Sequence, residues 1–579
     1  MANFKKDTFL RLLKYFTRHK LKAAIAFILM LSSNAFSLIG PYLIGKTIDA
    51  IDLKSGVDFA LVTKYTILMA ILFVISSMLA YLLTVVMVNL TQGIVREMRQ
   101  EVFDKILSLK VGELDKIQAG NLINRISYDI DTVNASLSND ILVALTWIVS
   151  IIGALIGMLL TTPLLLGVFV ITVPLSLFIA STRSKVVRPL YRKRSAKLAD
   201  LNGYSEEMLS GIKTIKAYGR EEQMEKVFAQ KNMDAVEAYY QADYYGSLIG
   251  PAVNFVNNLA TVLISSAGAF LFVFNMISIG DISSFLLYAK KFSGPINEYA
   301  NILGEIQSAL AAAERVFNLL DKESEPLDLE NSKVANDVKG NVSFNNVKFG
   351  YDEDKTIIHN LSFEAKQGQV IAIVGPTGAG KTTLINLLMR FYYPNNGNIT
   401  LDKIDINDYT LKSLRESFNM VLQDTWLFDG TIFENISYGK ENATLEEVKK
   451  ACKDAFVDQF IESLPEQYNT MISDGGVNLS KGQKQLLTIA RAMLSNAKIL
   501  ILDEATSNVD TRTEILIREA MDKLMKGRTC FVIAHRLTTI KNADLILVVN
   551  NGDIVERGKH QELLDNNGFY SQIYNAQFE

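Results

Sequence analysis

Hydrophobic positions divide the chain near residue 320. Before it, apolar runs of membrane length alternate with long charged segments; after it, short apolar runs alternate with amphipathic ones. Six stretches of the first half reach the roughly 20 residues a helix needs to cross a bilayer. They lie near 22–45, 65–90, 141–160, 163–183, 248–274 and 281–303, the last being the most polar. The connections at 49–62, 161–162 and 275–280 carry almost no positive charge, whereas 91–140 and 183–247 are rich in arginine and lysine. The positive-inside rule assigns both long connections and both termini to the cytoplasm. Each long connection is expected to continue its membrane helices and turn back, near Gly112–Gly120 and Gly211–Arg220. Phe4–Arg18, with Phe9, Leu10, Leu13 and Phe16 among basic residues, reads as an amphipathic helix on the inner leaflet; a frayed soluble tail is the alternative.

Apolar spacing persists past the sixth stretch to Leu320, after which an acidic segment containing Pro326 reads as a linker. From about 341, strands alternate with helices as in an α/β domain. The expected architecture is therefore multidomain: a six-helix transmembrane domain over 1–320, a linker over 321–340 and an α/β domain over 341–579. Without internal duplication, a six-span pore with one such domain implies an assembly of two chains.

Composition narrows the class. Of 579 residues, 49% are hydrophobic and 21% charged, and the mean hydropathy of +0.17 exceeds that of a typical soluble chain. A net charge of −3 gives no reason to expect a nucleic-acid partner. Cys452 and Cys530 read as reduced structural thiols, and the four histidines have no metal-ligand spacing. The basic segment Lys5–Lys22 is not followed by a small-residue cleavage site, so the first apolar stretch reads as a retained anchor.

The chemistry centres on Gly375-Pro376-Thr377-Gly378-Ala379-Gly380-Lys381-Thr382-Thr383, a GxxxxGK[ST] phosphate loop between an apolar strand and a helix. Its backbone N–H groups and the helix dipole suit phosphate, Lys381 suits the outer phosphates, and the Thr382 hydroxyl suits Mg²⁺. A second buried strand, Lys498–Leu502, runs into Asp503 and Glu504. Asp503 is placed to hold the Mg²⁺ shell, and Glu504 to polarise a water attacking the γ-phosphate. His535 ends a third strand and is a candidate γ-phosphate contact, although a lone histidine is more often structural. Leu479-Ser480-Lys481-Gly482-Gln483 precedes a helical run and offers a second anion site. Gln423 is a candidate Mg²⁺ contact, and Tyr351 either stacks on a base or is an ordinary sheet aromatic.

Polar residues inside the spans need a reason. Asn254, Asn257 and Asn258 share one helical face, while Lys290, Lys291, Asn297 and Glu298 interrupt the sixth span. A wetted substrate pathway is one reading; amides bonding neighbouring helices and snorkelling lysines are the other.

Tyr351, Gly375–Thr383, Gln423, Leu479–Gln483, Asp503-Glu504, Ser507–Asp510 and His535 occur in an order that resembles the ATP-binding cassette exporter half-transporters of the multidrug and lipid-exporting type. The resemblance covers nearly the whole chain. It implies a multi-pass protein of the bacterial cell membrane that hydrolyses ATP with Mg²⁺ and exports hydrophobic or amphiphilic compounds. It further implies that ATP lies between the phosphate loop of one chain and the Ser480 motif and Asp510 of the other. The cytoplasmic turns of the membrane half would end in coupling helices, the second reaching the partner's ATP domain.

The chain departs from the family pattern at Lys481, where the LSGGQ signature has glycine, and at Ser507-Asn508-Val509-Asp510, where Ser-Ala-Leu-Asp is commoner. With Glu504 and His535 intact, this resembles the catalytically complete chain of heterodimeric bacterial exporters. A heterodimer is expected, with a homodimeric drug or lipid flippase as the alternative. An ATP-gated channel or regulatory subunit would show a broken catalytic site or a long insertion, and a peptide exporter with a processing protease would need a cysteine before Cys452. Neither pattern occurs.

Overall fold

The computed structural model describes residues 2–52, 56–352, 355–422, 425–473, 479–495, 497–503, 510–533 and 540–578, with only the backbone described at 2–6, 296–301, 303 and 577–578. It comprises two compact units: Met1–Leu107 with Ala119–Lys322, and Ser108–Gln118 with Glu323–Glu579.

The first unit is helical. In chain order its helices are α1 (Ala2–Arg18), α2 (Lys20–Asp49) and α3 (Phe59–Ser108). The short α4 (Val111–Asp115) follows and belongs to the second unit. Then come α5 (Ala119–Asn124), α6 (Ile130–Ala135), α7 (Ile141–Thr161), α8 (Leu166–Ser210), α9 (Ile212–Tyr218), α10 (Glu221–Ser247), α11 (Ile249–Val273) and α12 (Ile279–Leu320). Among the described residues, five continuous helical segments are long and apolar enough to span a membrane: 20–49, 59–108, 119–161, 163–210 and 221–273. The sixth expected span forms as part of the 42-residue α12, but its lysines and amides leave it more polar than the other five.

Helix packing here relies on small residues and on side chains that bond backbone carbonyls of a neighbouring helix. Pro41 interrupts the hydrogen-bond ladder of α2. Donors on α12 bond carbonyls beside it: Ser284 Oγ donates to the Pro41 carbonyl at 3.0 Å and Tyr288 Oη to the Leu38 carbonyl at 2.9 Å. Tyr288 reaches α2 because Gly157 on α7 leaves room; a Cβ there would sit 2.5 Å from its ring. Phe285, Tyr288, Ala154, Met158, Phe169 and Ile264 form the apolar core around this crossing.

Below the membrane spans, two π-helical turns, Arg125–Asp129 and Ser136–Asp140, flank α6. The first presents buried Asp129 to Arg315 of α12, which donates from Nε and Nη2, the shortest contact being 2.5 Å. The amphipathic α1 binds the same region. Arg11 pairs with Asp321 at 2.6 Å, Tyr15 stacks on Phe317, and Tyr15 Oη donates to Glu101 at 2.5 Å.

The second unit carries two main sheets. One has six strands in the order Asp553–Gly558, Leu545–Asn550, Val370–Val374, Thr529–Ile533, Ile499–Asp503 and Phe418–Val421, all parallel except the first. Near-continuous apolar runs such as Ile499–Leu502 and Thr529–Ile533 are buried on both faces, as parallel strands require. The other sheet is antiparallel, in the order Ile358–Ala365, Val342–Phe349, Asn396–Leu401 and Ile404–Asp405. Alternating burial along Val342–Phe349 gives the face that meets the main core through Phe344 and Phe363.

Candidate nucleotide-binding site

The parallel register sets Ile373, Ile533 and Asp503 abreast, so the carboxyl ends of three central strands lie at one edge of the sheet. Open α/β sheets bind ligands at this carboxyl edge. Gly375 leaves the first of these strands against a neighbour: a Cβ there would lie 2.1 Å from the Val549 carbonyl oxygen. The loop then closes with Ala379 N–H donating to Pro376 O at 3.2 Å and Gly552 N–H donating to Ala379 O at 3.1 Å. Gly380, at φ +106°, begins the helix Lys381–Leu388 without a side-chain cap, so the first N–H groups of the helix are not taken up by a cap.

Lys381 turns back across the loop and donates to the carbonyls of Gly375 at 2.8 Å and Pro376 at 3.0 Å. Partial burial pushes its ammonium pKa down, and the Asp503 carboxylate opposes that shift. A cation with incomplete hydration beside open N–H donors favours an anion. Thr382 is exposed at the helix start and Thr383 is buried. The Thr382 hydroxyl and the Asp503 carboxylate are hard oxygen donors of the type Mg²⁺ takes, so the residues present fit that ion. Gln423, Glu504 and His535 lie outside the described residues.

Tyr351 is exposed to 39% and its hydroxyl lies 3.1 Å from Thr383 Oγ1. Its ring meets Phe349 and Tyr392 edge-on, at 5.0 and 4.9 Å between centroids. That aromatic group continues to α4: Tyr392 Oη donates to Asp115 Oδ2 at 2.6 Å, and Gly112 lies so close that a Cβ would be 2.6 Å from the Tyr392 ring. Burial and the Asp115 carboxylate both push the Tyr392 phenol pKa up. Lys110–Glu323 adds an ion pair at 2.5 Å, so Ser108–Gln118 is fastened to the second unit at both of its ends. No local sequence signal marks Tyr392 or Asp115, which are 277 residues apart.

Ser480 caps the helix Lys481–Leu494. Its hydroxyl accepts from Gln483 N–H at 3.2 Å, and Gln483 Oε1 accepts from Ser480 N–H at 2.9 Å. Leu479 and Gly482 are buried, while Lys481 is exposed in the first turn, where the helix dipole disfavours a cation. Asp510 caps the helix Thr511–Met525 through Thr513 N–H at 2.9 Å, a bond that holds its carboxyl pKa down. In the membrane unit, Asn254 and Asn258 are exposed, pointing away from the buried α11 face of Val253, Val256, Ala260 and Ile264. Lys290 is exposed on α12, whereas Lys291 donates to Ser37 Oγ on α2 at 2.7 Å.

Comparison with known proteins agrees with both units. Residues 23–296 match the model of the ABC transporter transmembrane region, and 358–507 match the model described as ABC transporter. An uncharacterized ABC transporter ATP-binding protein of Bacillus subtilis is 40% identical over 574 residues, 99% of this chain and 95% of its own length. A fatty acid ABC transporter ATP-binding/permease protein of Mycobacterium bovis is 42% identical over 522 residues, 90% of this chain and 82% of its own. A bacterial Atm1-family ABC exporter solved with ATP bound superposes with a TM-score of 0.79 at 30% identity, covering 97% of this chain and 98% of that one. The expected fold, a helical membrane domain followed by an α/β nucleotide-binding domain, is thus found. The second unit binds ATP and hydrolyses it to drive transport, the first spans the inner membrane several times, and exporters of this kind act as dimers. The chain belongs to the ABC transporter family, as an exporter half-transporter with its ATPase domain in the cytoplasm.

Proposed function

We propose that this chain is one half of a heterodimer that exports long-chain anionic amphiphiles of the fatty-acid class. The observation that carries the substrate class is the 42% identity, over nine-tenths of the chain, to a protein named as a fatty acid transporter, in a chain whose sixth span bears two adjacent lysines. Heterodimer pairing rests on Lys481, a cation at the start of the signature helix in a chain that keeps Glu504 and His535.

In this reading 1–320 is the membrane domain, 321–340 the linker and 341–579 the ATP domain. Ser108–Gln118, docked on the second unit, is the first coupling helix and its flanks. Lys381 and the loop amides orient the phosphates, Tyr351 faces the base, and His535 contacts the γ-phosphate. Thr382, Asp503 and Gln423 would hold Mg²⁺, which would supply positive charge to offset the negative charge of the phosphates. Glu504 accepts the proton of the attacking water. Ser480 and Asp510 serve the partner's site, and Asn254, Asn258, Lys290 and Lys291 line the substrate path. Replacing Glu504 by Gln tests the assignment: ATP turnover and efflux should both disappear, and survival of both overturns it. Co-purification with the product of a neighbouring half-transporter gene is expected; a transport-competent homodimer sinks the pairing.

A further inference from the structure

Lys291 lies far inside the membrane half. At about 1.5 Å per residue it is about 18 Å from the Ile279 end of α12, and its partner Ser37 is about 26 Å from the opposite-facing Lys20 end of α2. A bilayer with its headgroups is about 40–45 Å thick, so both residues sit close to its middle. The Lys291 ammonium donates to a neutral hydroxyl, Ser37 Oγ, at 2.7 Å. One turn before Ser37 on the same face of α2, Asn34 accepts through Oδ1 from Ser150 Oγ of α7 at 3.2 Å. A small polar island from three helices thus interrupts apolar surroundings.

The seam between α2 and α12 does not need a charge. Ser284 and Tyr288 already hold it with neutral donors. A cation at mid-membrane depth is costly unless an anion meets it. Ser37 uses one of the three ammonium donors, and the adjacent Lys290 adds a second positive charge on an exposed face.

We infer that Lys291, oriented by Ser37, binds the carboxylate head of the transported amphiphile at mid-membrane depth, with Lys290 strengthening the local field. This rests on the fatty-acid reading above and adds the place and the atom that recognise the substrate.

The test uses the complete transporter, with its partner chain, in lipid nanodiscs. ATPase stimulation is titrated with palmitate and with hexadecanol, which match in tail and differ in head. The wild type is expected to respond to palmitate at the lower concentration. Lys291→Gln leaves a polar side chain and removes the charge; it should reduce the palmitate-over-hexadecanol selectivity at least tenfold, about 1.4 kcal/mol. Lys291→Arg should restore selectivity. Ser37→Asp, which places a carboxylate where Lys291 already bonds, should abolish it independently. Unchanged selectivity in both Lys291→Gln and Ser37→Asp overturns the site while the fatty-acid reading stands. Equal loss of both responses also overturns it, because Lys291 would then only fasten α12 to α2. A wild type that ignores palmitate overturns site and reading together.

Discussion

Replacing Tyr392 by Phe removes one oxygen atom, and with it the 2.6 Å hydrogen bond to Asp115 on α4. The ring stays between Phe349 and Tyr351, so Tyr351 keeps its packing. A hydrogen bond to a charged group is worth about 1.5–3 kcal/mol, and this one is partly solvated, so about 1.5 kcal/mol is the expected loss. That is about a tenfold drop in the equilibrium constant for α4 docking on the second unit. Affinity for ATP should stay within about twofold, because no phosphate contact changes. What should fall is the number of substrate molecules moved per ATP, measured in proteoliposomes by parallel transport and phosphate release. Asp115→Asn should act in the same direction, and the double variant should lose little more than either single one, because both remove one interaction. Gly112→Ala should be more severe, since its Cβ would lie 2.6 Å from the Tyr392 ring. An unchanged transport-to-ATP ratio in Tyr392→Phe refutes the idea that this bond couples the docked segment to the aromatic group of Phe349, Tyr351 and Tyr392.

Three further outcomes are open to measurement. Arg315→Met should destabilise the membrane unit by about 3 kcal/mol, read as a fall in Tm in detergent, because it leaves the buried Asp129 carboxylate without its partner. Glu447 is held at about 2 by Lys440 and the Thr444 N–H; because its folded pKa lies below its unfolded one, its contribution is present above the usual carboxylate range and lost as pH falls toward 2. The stability difference between the wild type and Glu447→Gln should therefore be present at pH 6 and shrink in acid; a difference constant down to pH 2 counts against the pairing. Cys452 and Cys530 are buried with thiols pushed up to about 12, so neither should alkylate at pH 8 until the protein is unfolded.

Much of this fold is readable locally. The spans, the positive-inside asymmetry and the phosphate loop each depend on residues within one helix or one turn. The sixth helix was less plain, because Lys290, Lys291 and the nearby polar residues lower its hydropathy, yet they lie on a single continuous helix. The π-helical turns at Arg125–Asp129 and Ser136–Asp140 leave no mark, since one extra residue per turn looks like any other helical sequence. Asp129–Arg315 and Tyr392–Asp115 were invisible for a different reason: each joins residues 186 or 277 positions apart, and nothing in either neighbourhood names the other. Lys291 was visible as an anomaly, but its pairing with Ser37 rather than with a carboxylate emerges only from the packing of α2 on α12.

The inclusion of Ser108–Gln118 in the second unit has a consequence for biogenesis. Asp115 leaves the ribosome 277 residues before Tyr392, about 15–55 s at ordinary elongation rates. During that interval the segment has no receptor, and the helices on either side of it must enter the membrane with their cytoplasmic turn undocked. The ATPase unit, for its part, reaches its final composition only by capturing a segment that was made first. Truncated chains ending before residue 390 should therefore expose α4 to protease, and release from the ribosome with the second unit complete should protect it.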